Sequence, residues 1–537
     1  MRRLRVVLGD LAYINEENKH NLYVPLNVGF LASYAKRLFG RDIDVEIHKD
    51  PLALIQSVRD ERADVVGLSH YYWKDQLNAA VIRRIRGHAD TIVLGGPSID
   101  TDVEEQTKLR RQYPGVDVLV TNEGEEAFAS VLASKLGGSE VKVPLGLSTD
   151  LSQVPSPYLD GTLDPFLGGQ YQPMIQTSRL CPYTCAFCVS GKSRGKLRAF
   201  PLEQVHEELA YIGRRYHSLP EAILYITDEN FGILERDVDV ARMVADVRVR
   251  TGYPRHVFWY NDKRFGRNSQ EIHEIIGETC HHGVTLSLQS ENPDTLKAIK
   301  RRNLTDEQVT SAIGWAKGLG LKTSTELIFG LPMETRDSFL ALLDKCARFG
   351  FDSINCYNLI LFPGIEMNRV PYREEHRLTS KRRGIVGSSM VLEGELVAES
   401  EEIVTSTTHF GFDDYRLFRG LNVMFHAIFI NGLRMEFFRQ MVERGRSLTG
   451  FLREFLAPSP DEDMIACHHH EFLADLENDM RAELYTPGGW DMLVEKGLTP
   501  HMLKLQPTYA KRLCDEQLIW VDAMLDRIAA RTMEAAA

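Results

Sequence analysis

The run Leu180-Cys-Pro-Tyr-Thr-Cys-Ala-Phe-Cys-Val189 places three cysteines on one short stretch of chain. Cys181, Cys185 and Cys188 have the spacing Cys-x3-Cys-x2-Cys, with an aromatic residue directly before the third cysteine. Three thiolates this close together can bind three irons of a [4Fe–4S] cube, and the fourth iron is then left for a small-molecule chelator. The spacing therefore predicts an iron–sulfur cluster at this loop.

Two other uses of cysteine compete with this interpretation. Structural zinc takes four ligands, usually as two spaced pairs, and no second Cys or His pair follows at that spacing. His468-His469-His470 beside Cys467 is a weak metal candidate, because adjacent histidines do not easily share one face of a helix. No secretory leader is recognised, and the other cysteines are scattered, which disfavours disulfides. These are Cys280, Cys346, Cys356, Cys467 and Cys514.

Strand-like apolar runs follow the cysteines, and each run ends in polar or turn residues. The runs cover residues 222–227, 284–288, 324–329 and 353–361. Helical stretches separate them, and this alternation predicts βαβ units with a parallel sheet. Since the active site of a TIM-type barrel lies at the carboxyl ends of its strands, the polar residues after these runs are candidate site residues.

The cysteine loop and these strand ends resemble the radical S-adenosylmethionine (SAM) superfamily, with further likeness in residues 286–301 and 326–335. The resemblance implies a partial TIM barrel with SAM held on the cluster. Phe187 would lie near the adenine, and the motif at residues 228–230 would receive the methionine amino group. Helix capping is the plain alternative for any one polar residue here. The implied SAM contacts are Phe187, Asp228, Glu229, Asn230, Ser287, Gln289, Glu326 and Arg301.

The first 140 residues read as a separate α/β unit. Five β-rich runs alternate with helical stretches, which predicts a doubly wound, Rossmann-like sheet. The runs cover residues 4–8, 44–48, 64–69, 91–95 and 116–120. Gly95-Gly96-Pro97 follows the fourth run, where glycine lets the backbone approach a ligand closely. Glu123-Gly124-Glu125 opens the last helix of the unit, a position that suits carboxylates even without a ligand.

This unit resembles the B12-binding domain that precedes the barrel in cobalamin-dependent radical SAM enzymes. The resemblance implies that cobalamin binds at Tyr71, Tyr72, Trp73, Gly95, Gly96, Pro97, Ser98 and Glu123. The usual Asp-x-His-x-x-Gly run is absent, so we expect cobalamin without a protein histidine as its lower ligand. His70 is interpreted as a structural residue, and the aromatic trio at 71–73 could instead form a domain interface.

Four segments are expected along the 537 residues. They are a B12-binding-like domain at 1–140, a linker at 141–172, a radical SAM partial barrel at 173–375 and a helical substrate or cap domain at 376–537. No strand cluster is apparent after residue 376. The basic run Lys192, Arg194, Lys196 and Arg198 is interpreted as a solvated face, with a pocket for an anionic substrate as the alternative.

Composition excludes some function classes. A net charge of −12 disfavours nucleic-acid binding through phosphate contacts, and no apolar stretch reaches the length of a membrane span. We therefore expect neither nucleic acid nor membrane as a partner. The expected partners are a small-molecule or peptide substrate and an electron donor such as flavodoxin or ferredoxin. The cytoplasm is the expected compartment, because an exposed iron–sulfur cluster needs reducing conditions.

The resemblance implies an enzyme that cleaves SAM reductively to form a 5′-deoxyadenosyl radical. With cobalamin present, it implies a cobalamin-dependent methyltransferase that acts on an unactivated carbon in a natural-product or modified-peptide pathway. A radical SAM enzyme of the same architecture that catalyses rearrangement, cyclisation or another group transfer is the first alternative. A non-catalytic cofactor-binding regulator is a remote one, because the cysteine triad is intact.

Replacing Cys181, Cys185 and Cys188 together with alanine is expected to abolish the cluster and all SAM cleavage. Anaerobic reconstitution of the unaltered protein should give about one [4Fe–4S] cluster per chain, measured as iron, sulfide and visible absorption. Cys280→Ala and Cys467→Ala are the matched controls and should retain the cluster. Full cluster content in the triple variant would refute the assignment.

Overall fold

A computed structural model describes residues 2–19, 22–137, 149–192 and 196–534 of the chain. The structure divides into two compact units that do not follow chain order. The first consists of Met1–His282, Phe362–Asn368 and Gly387–Glu401. The second consists of Gly283–Leu361, Arg369–Val386 and Glu402–Ala537.

The N-terminal part of the first unit is a five-stranded parallel sheet with five helices, as the sequence predicts. Its strands are β1 (Leu4–Gly9), β2 (Ile43–His48), β3 (Ala63–Ser69), β4 (Ala89–Gly95) and β5 (Val118–Val120). Its helices are α1 (Leu26–Phe39), α2 (Pro51–Asp60), α3 (Asp75–Ile85), α4 (Val103–Gln112) and α5 (Gly124–Lys135).

The strand order β2-β1-β3-β4-β5 determines where this sheet can bind a ligand. All neighbouring strands are parallel, and the order reverses between β1 and β3. In open α/β sheets a crevice forms beyond the carboxyl ends of the strands at such a reversal. The residues that follow β1 and β3 therefore lie at the edge where a ligand is expected.

Both faces of this sheet are covered, which explains why the central strands β1, β3 and β4 are largely apolar, whereas the edge strand β2 alternates apolar and polar residues. Successive residues of a strand point to opposite faces, and Val6 and Val7 of β1 are accordingly buried in two different clusters. Helices α1 and α5 supply one cluster, which includes Phe128, and helices α2 and α3 supply the other. A sheet buried on both sides needs continuous apolar runs rather than alternation.

The rest of the first unit begins the barrel region. Strands β6 (Met174–Ile175), β9 (Ile223–Ile226) and β10 (His256–Phe258) form a parallel three-stranded sheet in the order β10-β9-β6. Helices α6 (Leu202–Tyr216), α7 (Asp237–Thr251) and α8 (Arg267–Gly277) follow these strands. Two further short strands, β7 (Ser178–Arg179) and β8 (Arg198–Ala199), pair antiparallel and close the cysteine loop at its base.

The second unit continues the alternation with a second parallel sheet, in the order β11-β12-β13. Its strands are β11 (Gly283–Thr285), β12 (Lys322–Phe329) and β13 (Ser353–Asn358). Its helices are α9 (Pro293–Ala298), α10 (Asp306–Gly318) and α11 (Arg336–Phe349). Asn292, Thr305 and Thr335 cap the three helices with their side chains.

The C-terminal region is mainly helical, but it begins with a long antiparallel hairpin. After α12 (Val370–His376) come β14 (Thr379–Leu392) and β15 (Glu395–Ser406). The expectation of no strands after residue 376 was therefore wrong, because polar residues on the hairpin hide the alternating pattern. The helices that follow are α13 (Phe412–Phe425), α14 (Met435–Glu443), α15 (Leu448–Phe455), α16 (Met464–Ala482), α17 (Pro487–Glu495), α18 (Leu505–Asp515) and α19 (Asp522–Glu534).

The far end of this hairpin, residues 387–401, belongs to the first unit and packs on the N-terminal sheet domain. Glu399 is buried at the start of α3, where it accepts hydrogen bonds from the backbone N–H groups of Gln76 and Leu77 at 3.0 Å each. It also accepts from the Tyr13 hydroxyl at 2.8 Å. A buried carboxyl at a helix N-terminus satisfies donors that the helix leaves unpaired.

Gly96→Ala is expected to destabilise the N-terminal domain by about 1–3 kcal/mol, because Gly96 has a φ of 142°. A Cβ at this position would lie 2.3 Å from the carbonyl oxygen of His70. Faster hydrogen exchange in β3 and β4, measured by mass spectrometry, should report the loss. Gly87→Ala is the control, since a Cβ at Gly87 meets no atom within 4 Å. Equal exchange in both variants would contradict this expectation.

Candidate functional site: a cysteine loop beside a large cavity

Cys181, Cys185 and Cys188 lie on a compact loop of the first unit. Cys185 is buried, while Cys181 and Cys188 are half-buried, and all eight cysteines of the chain are free thiols. The backbone N–H of Cys188 donates to the carbonyl of Cys185 at 3.1 Å, which forms a turn between the last two cysteines. The backbone N–H of Met367 donates to the carbonyl of Ala186 at 3.3 Å and supports the same turn.

The surroundings of the thiols suit a negatively charged iron–sulfur cluster. The Asn230 amide donates to the Sγ of Cys181 at 2.9 Å, and the Lys263 ammonium lies 3.3 Å from the Sγ of Cys185. Burial raises the pKa of the Cys181 thiol, and the Asn230 hydrogen bond opposes that rise. Hydrogen bonds to cluster sulfurs are among the features that tune such sites.

A zinc site finds no support in the described part of the chain. No group of three or more His, Cys, Asp or Glu side chains among those residues converges on a single metal ion. A cube does not need such convergence, because each cysteine binds a different iron. His469 and His470 instead bond to the backbone carbonyls of Phe455 and Ser459, at 2.7 and 3.0 Å.

Asp228 has a different role from the one expected. It is buried, and one oxygen accepts from the backbone N–H of Thr177 at 2.7 Å, while the other accepts from the hydroxyls of Thr177 and Ser178 at 2.5 and 2.8 Å. Both carboxylate oxygens are thus occupied by the strand that leads into the cysteine loop. The assignment of Asp228 to SAM is therefore corrected: it holds that strand in place.

Glu229 and Asn230 lie beside the cysteine loop, as the strand-end argument predicts. Glu229 is exposed and lines the cavity described below, so its carboxylate can meet a ligand. Asn230 contacts a cysteine sulfur rather than open space. Phe187 is half-buried in the turn between Cys185 and Cys188. The SAM-binding roles of Glu229, Asn230 and Phe187 remain predictions.

The other predicted SAM contacts lie in the second unit: Ser287 and Gln289 follow β11, Glu326 lies within β12, and Arg301 follows α9. The Ser287 hydroxyl donates to Glu326 at 2.7 Å. Gln289 has a φ of 65°, and its buried Oε1 has no hydrogen-bond partner among the described residues. A strained residue with an orphaned buried acceptor is a mark of a ligand site. Arg301 donates to the Ser287 carbonyl and, at 3.1 Å, to the Asn303 side chain.

A cavity of about 1040 Å³ lies within the first unit, between the N-terminal sheet and the cysteine loop. This is at the upper end of the usual size of ligand pockets. One wall is formed by the predicted cobalamin contacts, and they are Tyr71, Tyr72, Trp73, Gly95, Gly96, Pro97, Ser98 and Glu123. The opposite wall is formed by residues that flank the cysteines, including Arg179, Leu180, Val189 and Ser190, together with Glu229.

His70 does not face this cavity. Its side chain is buried with its ring edge-on to Tyr113 at 5.6 Å, and its Nε2 lies 3.8 Å from Asp75. Burial lowers the pKa of His70, so its ring is neutral at ordinary pH. No histidine occurs among the described residues that line the cavity. The interpretation of His70 as a structural residue agrees with this placement.

Sequence reasoning missed a buried charged cluster on the cavity wall. Asp10, which follows β1, accepts from Lys49, Lys74 and Ser69, with a Lys49 distance of 2.9 Å and a Ser69 distance of 2.6 Å. Burial alone would raise the pKa of Asp10, but the two lysines hold it well below its usual range. Burial lowers the pKa of Lys74 to about 8. Only their position in the sequence could have indicated these residues, because they lie at or shortly after the ends of predicted strands.

Arg179 connects the two walls of the cavity. Its guanidinium packs against the rings of Phe30 and Phe200, at 5.2 and 5.3 Å from their centroids, and donates to Glu125 at 2.7 Å. Glu123 pairs with Arg198, so Arg198 is not part of a solvated face. Arg194 of the same basic run lies outside the described residues. The Glu-Gly-Glu turn of the first domain is thereby tied to the strands around the cysteine loop.

Comparison with known proteins agrees with this geometry. Residues 175–346 match the family model of the radical SAM superfamily, and residues 20–132 match that of the B12 binding domain. The chain contains a B12-binding domain followed by a radical SAM domain. The B12-binding domain is the five-stranded sheet domain, and the radical SAM domain includes the cysteine loop and the parallel strands β6, β9, β10, β11 and β12.

Two curated relatives are similar to this chain over about two thirds of its length. The 2-(S-pantetheinyl)-carbapenam-3-carboxylate methyltransferase of Streptantibioticus cattleyicolor is 30% identical over 388 residues, which cover 64% of this chain and 54% of that protein. The cobalamin-dependent radical SAM methyltransferase TokK of Streptomyces tokunonensis is 30% identical over 393 residues, which cover 66% of this chain and 56% of that protein. The similarity therefore spans about half the length of these relatives.

A solved structure shares the fold. The radical SAM methyltransferase TsrM from Kitasatospora setae, with tryptophan and a SAM analogue bound, has a TM-score of 0.56 at 17% identity. The match covers 72% of this chain and 79% of TsrM. Separately, none of the helices described for this chain has the length and apolarity needed to span a bilayer.

Glu229→Ala is expected to weaken SAM binding to the cluster-loaded protein by about 1–3 kcal/mol, the usual loss for a hydrogen bond to a charged group. Isothermal titration calorimetry under anaerobic conditions measures the change. Glu235→Ala is the control, because Glu235 is exposed on the same loop but does not line the cavity. If SAM affinity is unchanged in Glu229→Ala, Glu326 becomes the next candidate.

Proposed function

We propose that this protein is a cobalamin-dependent radical SAM methyltransferase that methylates an unactivated carbon of a natural product or modified peptide. One observation carries the proposal. A single cavity within the first unit is lined both by strand ends of the B12-binding domain and by residues that flank the cluster cysteines. A cofactor in this cavity would have one face toward the sheet and the other toward the cysteine loop.

The cavity wall has the chemistry that a corrin needs. Tyr71 and Trp73 stack with their ring centroids 4.6 Å apart, and they offer flat apolar surface to a flat macrocycle. The Gly95-Gly96 backbone lies on the same wall, where the absence of side chains permits close approach. The buried lysines and Asp10 offer donors and an acceptor to the amide groups at the rim of a corrin.

The cavity also extends between the sheet and two helices as an apolar slot. Val28 and Leu31 of α1, Val93 and Val120 of the sheet, and Phe128 of α5 line it. Such a slot suits the nucleotide base of cobalamin when that base is detached from cobalt. Together with the lack of a histidine among the described lining residues, this supports a cobalt whose lower face is water-bound or unligated.

The cysteine loop supplies the second cofactor site. When bound, a reduced cluster supplies the electron that cleaves SAM to a carbon radical, and cobalamin supplies the methyl-transfer chemistry. Cys181, Cys185 and Cys188 would hold the cluster, and Glu229 would bind the SAM ammonium by a charge-assisted hydrogen bond. The aromatic and apolar walls of the cavity would exclude water from the reacting atoms.

The relatives support methyl transfer over other radical chemistry. Both curated relatives bear methyltransferase names, and the TokK name includes cobalamin dependence. A second structure of TsrM contains cobalamin and a [4Fe–4S] cluster. We further propose a flavodoxin or ferredoxin as the electron donor and the cytoplasm as the compartment, since both follow from the need for a low-potential reductant.

Anaerobic reconstitution with iron, sulfide and hydroxocobalamin tests the proposal. The purified protein should retain one corrin and one cluster per chain, and electron paramagnetic resonance of the Co(II) form should lack nitrogen superhyperfine splitting. Methyl transfer should appear as incorporation of the deuterated methyl group of labelled SAM. Superhyperfine splitting from an imidazole would contradict the histidine-free site. SAM cleavage without any retained corrin would favour a cobalamin-independent radical reaction.

A substitution that fills the apolar slot tests whether corrin binding and cluster binding depend on different residues. Val120→Phe should prevent corrin retention, because the larger ring occupies the slot, while cluster content stays at the level of the unaltered protein. Val118→Phe is the matched control on the same strand, since Val118 does not line the cavity. Equal corrin retention in the two variants would place the cofactor elsewhere.

A further inference from the structure

The loop between β10 and α8, residues 259–266, packs against the cysteine loop from a distant part of the chain. The Tyr183 hydroxyl donates to Asp262 at 2.7 Å, and Asp262 is buried. The Lys263 Nζ lies 3.5 Å from the centroid of the Tyr183 ring. Two residues further on, Phe265 has a φ of 45°, a conformation that a non-glycine residue adopts only when its surroundings impose it.

This loop brings an ammonium group to a cluster ligand. The Lys263 Nζ lies 3.3 Å from the Sγ of Cys185, which is the buried member of the cysteine triad. The neighbouring Asp262 carboxylate is engaged by Tyr183 and, at 3.2 Å, by Arg264. The Lys263 ammonium contacts the face of the Tyr183 ring and the sulfur of Cys185. These contacts stabilise a half-buried cation most strongly when the sulfur is negatively charged.

The triad is not symmetric in this respect. Cys181 accepts from a neutral amide, that of Asn230, whereas Cys185 faces a full positive charge. Reduction adds one negative charge to an iron–sulfur cluster. A cation this close stabilises the reduced form more than the oxidised form, and partial burial weakens screening by water.

We propose that Lys263 raises the reduction potential of the cluster through its positive charge and an N–H···S hydrogen bond to Cys185, while the cation–π contact with Tyr183 holds the ammonium in place. This inference rests on the cluster site of the proposed function. None of the predicted SAM contacts takes part, and the effect acts on the electron-transfer step that precedes SAM cleavage. It would make reduction of the cluster by the proposed flavodoxin or ferredoxin more favourable.

An anaerobic redox titration of the cluster, without SAM and followed by electron paramagnetic resonance, tests the proposal. In Lys263→Met, the ratio of reduced to oxidised cluster at the midpoint potential of the unaltered protein should fall about tenfold, which is a negative shift of about 59 mV for one electron. Lys263→Arg should restore most of the potential. Arg264→Gln is the matched control, because it removes the same charge at an exposed neighbouring position.

The possible outcomes distinguish failure of the Lys263 proposal from failure of the cluster assignment on which it rests. An unchanged midpoint in Lys263→Met, or an equal shift in Arg264→Gln, overturns the role of Lys263. If the unaltered protein assembles no cluster, as judged by iron and sulfide content, the proposed function fails first. If Lys263→Met does not assemble the cluster, Lys263→Gln takes its place in the titration, because glutamine keeps a neutral N–H donor. A midpoint potential in Lys263→Gln equal to that of the unaltered protein would exclude an effect of the Lys263 charge.

Discussion

The placement of the cysteine loop beside the B12-binding domain depends on the buried guanidinium of Arg179. It packs against two aromatic rings and bonds to Glu125, at the start of helix α5 of the B12-binding domain. Arg179 stands two residues before Cys181, so this one side chain fixes the cysteine loop relative to the sheet. Because the ion pair is largely buried, loss of either partner would leave an unpaired charge away from water, which is strongly destabilising.

Around this link, the two domains use the same structural rule. Parallel strands present their carboxyl ends at one edge, and polar residues just beyond those ends meet in space although they are far apart in sequence. Asp10, Lys49 and Lys74 meet beyond the strands of the first domain. Asp228 and Asn230 meet the cysteine loop beyond β9 of the second. Asp228 holds the backbone of the strand that leads into the cysteine loop, whereas Asn230 contacts a cysteine sulfur.

Much of the fold could be predicted because strands and their ends produce local patterns of apolar and polar residues in the sequence. Apolar-rich runs predicted all five strands of the first sheet within about two residues, because the central strands are buried on both faces and the edge strand β2 alternates apolar and polar residues. The strand ends indicated the cavity wall around Tyr71 and Gly95. The short strands β6 and β10 and the polar hairpin β14–β15 were not predicted, because their pattern is too short or too polar to stand out.

By itself, the sequence determined the cysteine triad, the alternation of strands and helices, and the order of the two domains. Only the tertiary structure decided which polar side chains turn inward. Both carboxylate oxygens of Asp228 accept hydrogen bonds from Thr177 and Ser178, and His70 packs against Tyr113. Lys263 contacts the sulfur of Cys185, which lies 78 residues earlier in the chain. The physical reason is that spacing specifies which residues share a strand or loop, whereas the partner of a buried polar group is set by packing between segments that are distant in sequence.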